Sequence, residues 1–373
     1  MSRTRGFTMV ELLVAITLSA LVMGGLMSVF FGAKTSFQST SGLGNMTEGG
    51  RFAIDFLTRS VRAAGVMGCA SSSATDVTNL NTNTTLPLNF SQAMFAYEAA
   101  GTAPGGTIVL PAVPVTAGTW LPVLDPLLAG LPNPPVAGSD VLVVRTSLEQ
   151  AGGIYVTAIN SGTTTFTVSN AAVAVTGPGS LLANNLAVIS DCTQATAFEI
   201  TGIAGNVITH AGGGANPGNA TGPFLGTYGA GATVSVPDTI VYYIGIGADG
   251  DGALYSVDLN GSGVFQAPRE LVSDVENMQL LFGVDTVGNN SVTQYFKAQT
   301  VPPSPATTPL PDFNTVVSVK IALLAASPAN ALPPPVPTVP TTYNLLGTLV
   351  QAPLDRRARK VFEATIAVRS KAT

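Results

Sequence analysis

Histidine and tryptophan each occur once in the 373 residues, cysteine occurs twice, and charged residues make up only 10%. One histidine leaves no room for His-pair metal spacing. His210 belongs to no Ser-His-Asp set, and the chain carries no phosphate loop or dinucleotide fingerprint. A lone histidine at a strand end is more often structural, so no catalytic, cofactor-binding or metal-binding residue is assigned and enzyme activity is not expected. Sixteen basic residues against twenty-one acidic ones give a formal net charge of −5, with a pI near 4.9. No basic face is large enough to make nucleic acid the main partner. Few charges, together with 40 Gly, 26 Pro and abundant Ser, Thr, Val and Ala, read as an extracellular β-rich surface.

Charge is scarcest at the start. After the basic leader MSRTRG, the 26 residues from Phe7 to Gly32 carry one charge, Glu11. As a helix this run is about 39 Å long, more than the ~30 Å hydrocarbon core of a bilayer. An acidic side chain in a spanning helix costs roughly 2.5–3.5 kcal/mol at the centre and less near the interface, so it implies a partner. A secretory signal has a shorter apolar core and a small-x-small cleavage site. Here the run ends Phe31-Gly32-Ala33, with a bulky residue where a small one is needed. A plain membrane anchor accounts for neither Gly6-Phe7 nor Glu11.

Arg5-Gly6 followed by Phe7-Thr8-Met9-Val10-Glu11-Leu12 resembles the class III signal of type IV prepilins. The resemblance implies that a prepilin peptidase cuts between Gly6 and Phe7 and that Phe7 becomes N-methylated. It also implies that Glu11 guides assembly by meeting the N-terminal amine of a neighbouring subunit. Opposite charges in a low-dielectric helix bundle also set register. Gly24-Gly25 weakens the helix by roughly 1 kcal/mol per glycine, which predicts a local bend or melting point.

Residues 34–50 are polar and glycine-containing, and they predict an irregular stretch. Helical patterning resumes at Arg51, with Phe52, Phe56, Leu57, Val61 and Ala64 forming the stripe expected to face a globular head. Asp55, Arg59 and Arg62 point away, and Gly65 is a helix stop. From about Ser72 the pattern is short alternating runs between turn residues. Strands are predicted at 140–145, 154–160, 164–169, 186–191, 198–203, 207–210, 239–246, 253–259, 278–284, 315–324 and 361–369, with a short helix near 270–275. Residues 71–137, 211–222, 301–313 and 328–343 read as loops. Asp249-Gly250-Asp251-Gly252 reads as a hairpin turn. A calcium loop would need a third oxygen ligand where Ala253 stands, and a downstream glutamate that is missing. Arg356, Arg357, Arg359 and Lys360 read as a solvated edge or a subunit contact.

In the oxidising location that the leader implies, Cys69 and Cys192 are expected to form a disulfide; two buried free thiols are the alternative. The bridge would close a loop of about 120 residues, worth at most about 4–5 kcal/mol in chain-entropy models.

Further blocks resemble PilW-type minor pilins. They are 50–57 (GRFAIDFL), 62–69 (RAAGVMGC), 139–145 (SDVLVVR), 189–192 (ISDC), 271–279 (LVSDVENMQ) and 355–362 (DRRARKVF). Residues 71–137 and 204–236 carry no such block. The resemblance implies a pilin-like α+β fold, with a long N-terminal α-helix whose N-terminal half is transmembrane and a large β-rich globular head. The expected boundaries are a leader at 1–6, the pilin helix at 7–66 with 7–32 spanning the membrane, and the head at 67–373. It implies a minor pilin that primes assembly of a type IV pilus, enters it at the tip, and supports twitching motility and attachment. The implied partners are the prepilin peptidase, other minor pilins, the major pilin, the inner membrane and a large tip adhesin. The implied location is the inner membrane, then the periplasm and the cell-surface pilus of a Gram-negative bacterium. Two alternatives stay open: a minor pseudopilin of a type II secretion system, and a tip adhesin that binds through loops 71–137.

Overall fold

The computed structural model describes residues 8–68, 70, 75–81, 85–148, 153–160, 162–169, 181–213, 217–220, 222–224, 226–302 and 312–369. One helix, α1 (Met9–Ala63), runs unbroken for 55 residues. The helix does not melt at Gly24-Gly25, and the irregular stretch expected at 34–50 is absent. A Cβ on Gly24, Gly25 or Gly44 would meet nothing within 4 Å, so these glycines lie on an open surface of a continuous helix. A propensity cost of about 1 kcal/mol per glycine is too small to interrupt a ladder of this length.

The head begins with β1 (Thr75–Thr78), β2 (Met94–Ala99), β3 (Thr107–Val109), β4 (Trp120–Leu121), a one-turn α2 (Pro126–Ala129) and β5 (Val141–Leu148). It continues with β6 (Val156–Ile159), β7 (Thr165–Val168), β8 (Leu186–Ser190), β9 (Gln194–Glu199), β10 (Gly202–Ala204) and β11 (Val207–Thr209). Then come β12 (Thr233–Ile246), β13 (Gly252–Asp258), β14 (Arg269–Ser273), β15 (Val275–Val284) and β16 (Gln294–Phe296). The last strands are β17 (Val316–Ala326), β18 (Thr342–Leu345), β19 (Thr348–Gln351) and β20 (Arg359–Ala367). The largest sheet has the order β1-β9-β8-β12-β5-β2-β4, with β13 and β14 continuing beyond the second half of β12. A second sheet, β16-β15-β17-β20, packs against α1, and β10-β11-β7-β6 and β18-β19-β3 are smaller.

The central strand β17 shows how the sequence builds this core. Its sequence VVSVKIALLAA is nearly all buried because both faces are covered. Val319, Ile321 and Leu323 join Leu57, Val61, Met278, Phe282 and Ile366 beneath α1. Ala322 and Leu324 point the other way, onto Leu345 and Val350 of the β18–β19 hairpin.

Several expectations change. The short helix near 270–275 is strand β14 with the start of β15; Arg269–Ser273 pairs with β13 across a bulge. Residues 71–137 are not one loop, since β2 lies inside the large sheet between β5 and β4 with Met94 and Ala96 fully buried. The run predicted at 198–203 divides into the end of β9 and the start of β10.

The docking face of α1 also differs. Phe52 and Phe56 are 53% and 41% exposed. The buried positions are Gly42, Met46, Gly50, Ala53, Leu57 and Val61, a true 3–4 spacing. A Cβ on Gly50 would fall on the Phe362 ring of β20, and one on Gly42 would lie 2.8 Å from the Ala331 side chain. Leu57, Val61 and Ala64 of the expected stripe are fully buried, but close approach selects small residues at 42 and 50 and leaves Phe52 and Phe56 on the neighbouring face. Ser60 and Tyr242 share a 2.9 Å hydrogen bond at the far end of the contact.

Candidate assembly surface

Among the described residues, nothing of the head covers the first half of α1. Every residue from Thr8 to Lys34 is exposed, and Met9, Leu21 and Val29 are at least 72% exposed. Among the described residues, this is the one helix long and apolar enough to cross a membrane. From Met9 to Gly32 it measures about 36 Å. Apolar area on this scale is costly in water at about 25 cal/mol per Å², so lipid or other helices must cover it.

Glu11 sits in the first turn. Thr8 is the N-cap; its hydroxyl accepts the Glu11 N–H at 3.3 Å. The Glu11 carboxylate in turn accepts the Thr8 N–H at 3.0 Å and the Thr8 hydroxyl at 2.9 Å. This capping box satisfies helix-end donors and holds the carboxylate at the N-terminal tip of the helix. Gly6 and Phe7 lie outside the described residues, as does Cys69. Cys192 follows β8 in the tight β8–β9 connection, where Asp191 accepts the N–H groups of Thr193 and Gln194. Gly68 packs against the Ser190 and Thr233 side chains.

Two residues of the basic cluster, Arg357 and Arg359, are not part of a solvated edge, although Lys360 is exposed. The Arg359 side chain is 3% exposed and forms a fork to Glu276 at 2.6 and 2.9 Å, with a second pair to Asp355 at 2.5 and 2.7 Å. Arg357 pairs with Asp251 and reaches Asp274 at 3.5 Å. These groups join the β12–β13 turn, the start of β15 and the start of β20 into one network. Desolvation pulls Arg359 down, but the carboxylates of Asp355 and Glu276 outweigh it and hold its charge firmly. The Asp249–Gly252 segment is the hairpin turn that its composition predicts, with the Gly247 N–H donating to the Asp251 carbonyl at 2.7 Å. Asp249, Asp251 and Asp274 bring carboxylate oxygens within 4.8 Å of one another, and Arg357 supplies a positive charge to that group.

His210 is buried and stacked on Phe224 with ring centroids 3.7 Å apart. Burial pushes its pKa down to about 4, so it is a neutral packing residue. Sequence reading missed the Glu98–Asp140 pair, because neither residue stands in a motif. Asp140 accepts the N–H groups of Ala99 and Leu280, both at 2.9 Å, and so ties β2 to β15. Burial pushes both carboxyls above the usual carboxylate range, and the nearby Asp140 charge raises Glu98 further. The folded protein therefore holds a proton that the unfolded chain releases. Stability from this pair is complete below about pH 4 and is lost as pH rises through neutrality. Glu98→Gln should flatten that part of the pH dependence. Thermal melts from about pH 5 to about pH 9 should show a smaller fall in Tm for the variant than for the wild type, and equal falls would contradict the assignment.

Comparison with known proteins places both ends of the chain. Residues 1–27 match the Prokaryotic N-terminal methylation motif, and residues 241–370 match the family described as Type IV Pilus-assembly protein W. No curated protein and no solved structure matches the chain. The first match covers the capping box and most of the bare apolar helix. The second runs from within β12 through β20, and so takes in the sheet that docks α1 and the whole arginine network. The chain is thus similar to N-terminally methylated prepilins over its first 27 residues and to the PilW family of type IV pilus-assembly proteins over residues 241–370.

Proposed function

We propose that the protein is a minor pilin that primes type IV pilus assembly and enters the fibre at its tip, supporting twitching motility and attachment. The observation that carries this reading is the division of α1: the half beyond the membrane is docked on the head, while Met9–Phe31 has no partner among the described residues of the head. In this reading the leader ends at Gly6, Phe7 is methylated, and α1 stands in the inner membrane of a Gram-negative cell until the subunit joins the pilus. There the same surface packs against other minor pilins and the major pilin, with a large adhesin as a further tip partner. Deleting the gene should remove most surface pili and twitching while leaving type II secretion intact, and a tagged copy should label fibre ends. Normal piliation with defective secretion would favour the pseudopilin alternative.

A disulfide between Cys69 and Cys192 belongs to the same proposal. The contact of Gly68 with Ser190 brings the sequence neighbours of the two cysteines together. The bridge would tie the chain leaving α1 to the β8–β9 connection. Cys192→Ser should cost about 2–5 kcal/mol of head stability. Denaturant unfolding of both proteins, with and without reductant, checks this: reductant should lower the wild type to the level of the variant.

A further inference from the structure

We infer that the proline-rich loop between β17 and β18 rests on the lipid surface of the membrane that holds α1 before assembly. This inference depends on the membrane anchor read above. The Ser39 hydroxyl donates to the Ala331 carbonyl at 2.5 Å, and Ala331 also lies against Gly42. Ser39 stands seven residues beyond Gly32, so this contact is about 10 Å above the end of the apolar run. Thr35, one turn nearer the membrane on the same face, is already half-buried. The loop leaves the head at this level. Residues 333–342 are all exposed, among them Val336 at 47% and Val339 at 73%.

The chemistry of the loop suits a bilayer rather than a charged partner. No Asp, Glu, Lys or Arg occurs between Lys320 and Asp355. The stretch from Leu332 to Thr341 carries five prolines besides its valines, leucine and threonines. Proline removes the backbone donor, so fewer polar groups lose water on contact with lipid. Residues 332–341 form an irregular, bent excursion from the head at this level. The headgroup layer of about 5–8 Å fills most of the ~10 Å between this level and the hydrocarbon. The occupant is therefore continuous with the surface that already covers α1. The loop would orient the waiting head on the membrane and release when the subunit is extracted.

The test uses the full chain reconstituted in phosphatidylcholine vesicles, with an environment-sensitive fluorophore on single introduced cysteines and nitroxide-labelled lipid as quencher. Val22→Cys reports insertion of α1. Leu148→Cys is the distant control, since Ser147 beside it bonds to Val66 beyond the helix end, about 46 Å from Gly32 along α1. The label at Val339→Cys should shift to the blue and lose most of its emission to the quencher, while the label at Leu148→Cys is unaffected. Val336→Asp should reverse the effect at Val339→Cys. Quenching at Val22→Cys with none at Val339→Cys would overturn the loop contact alone. No quenching at Val22→Cys would overturn the anchor and the loop contact with it. A signal at Val339→Cys that requires anionic lipid would assign the contact to Lys34 and Arg356 and overturn it as well.

Discussion

Glu11→Ala should leave the protein folded, cleaved and in the membrane, yet reduce its entry into pili by about 100-fold. Three effects combine here. Removing the carboxylate makes insertion easier, because an acidic residue in a spanning helix is unfavourable. The head is untouched, because Glu11 lies at the opposite end of α1 from the docked face and, among the described residues, its carboxylate bonds to Thr8. The loss therefore falls on assembly. A neighbour's N-terminal amine, once desolvated among helices, would have no counter-charge, and an unpaired buried charge costs about 3–5 kcal/mol. Even the lower figure corresponds to about 100-fold in an equilibrium. Quantitative immunoblots of sheared pili against the membrane fraction would measure this. Equal incorporation of wild type and variant would mean that Glu11 serves only as half of the capping box.

Arg359→Ala should destabilise the head by about 3–5 kcal/mol, the largest single-site effect expected on folding. The cost does not come mainly from lost attraction. Glu276 and Asp355 would remain, partly buried, at the place the guanidinium occupied, and Glu276 lies beside Asp274 and Asp251 in the same network. Arg359→Lys keeps the charge but cannot form the fork to Glu276 and the pair to Asp355 together, so it should recover part of the loss. Denaturant unfolding of the three proteins would rank them wild type, lysine variant, alanine variant. A change below about 1 kcal/mol for Arg359→Ala would mean that the network behaves like a surface ion pair.

These two residues also mark how far the sequence was legible. Glu11 was readable because its surroundings are local: one charge in a long apolar run, next to a basic leader, is visible without any fold. Most of the long strands were readable as well, since 140–145, 239–246, 278–284 and 315–324 are dense in β-branched and apolar residues. Arg359 was misread, together with Arg357, because its partners come from far along the chain. Glu276 is 83 positions away, and four basic residues within five positions look solvated until β15 is brought alongside. The docking face of α1 was readable only in part, for a related reason: Leu57, Val61 and Ala64 are buried as expected, but Phe52 and Phe56 are not. Phe52 and Phe56 promise burial by size, but the close approach of Phe362 and Ala331 requires glycine at positions 50 and 42. Strand β2 was hidden in a segment whose Ser, Asn, Pro and Gly content reads as loop, although MFAYEA within it is a buried strand.

The N-terminal residue of the protein from its native cells is the most direct test of the central claim. Mass spectrometry, with and without the prepilin peptidase, should find N-methylated Phe7 only when the peptidase is present. An intact Met1 in both strains, or a new terminus beyond Ala33, would contradict the pilin pathway and the assembly role of Glu11 with it.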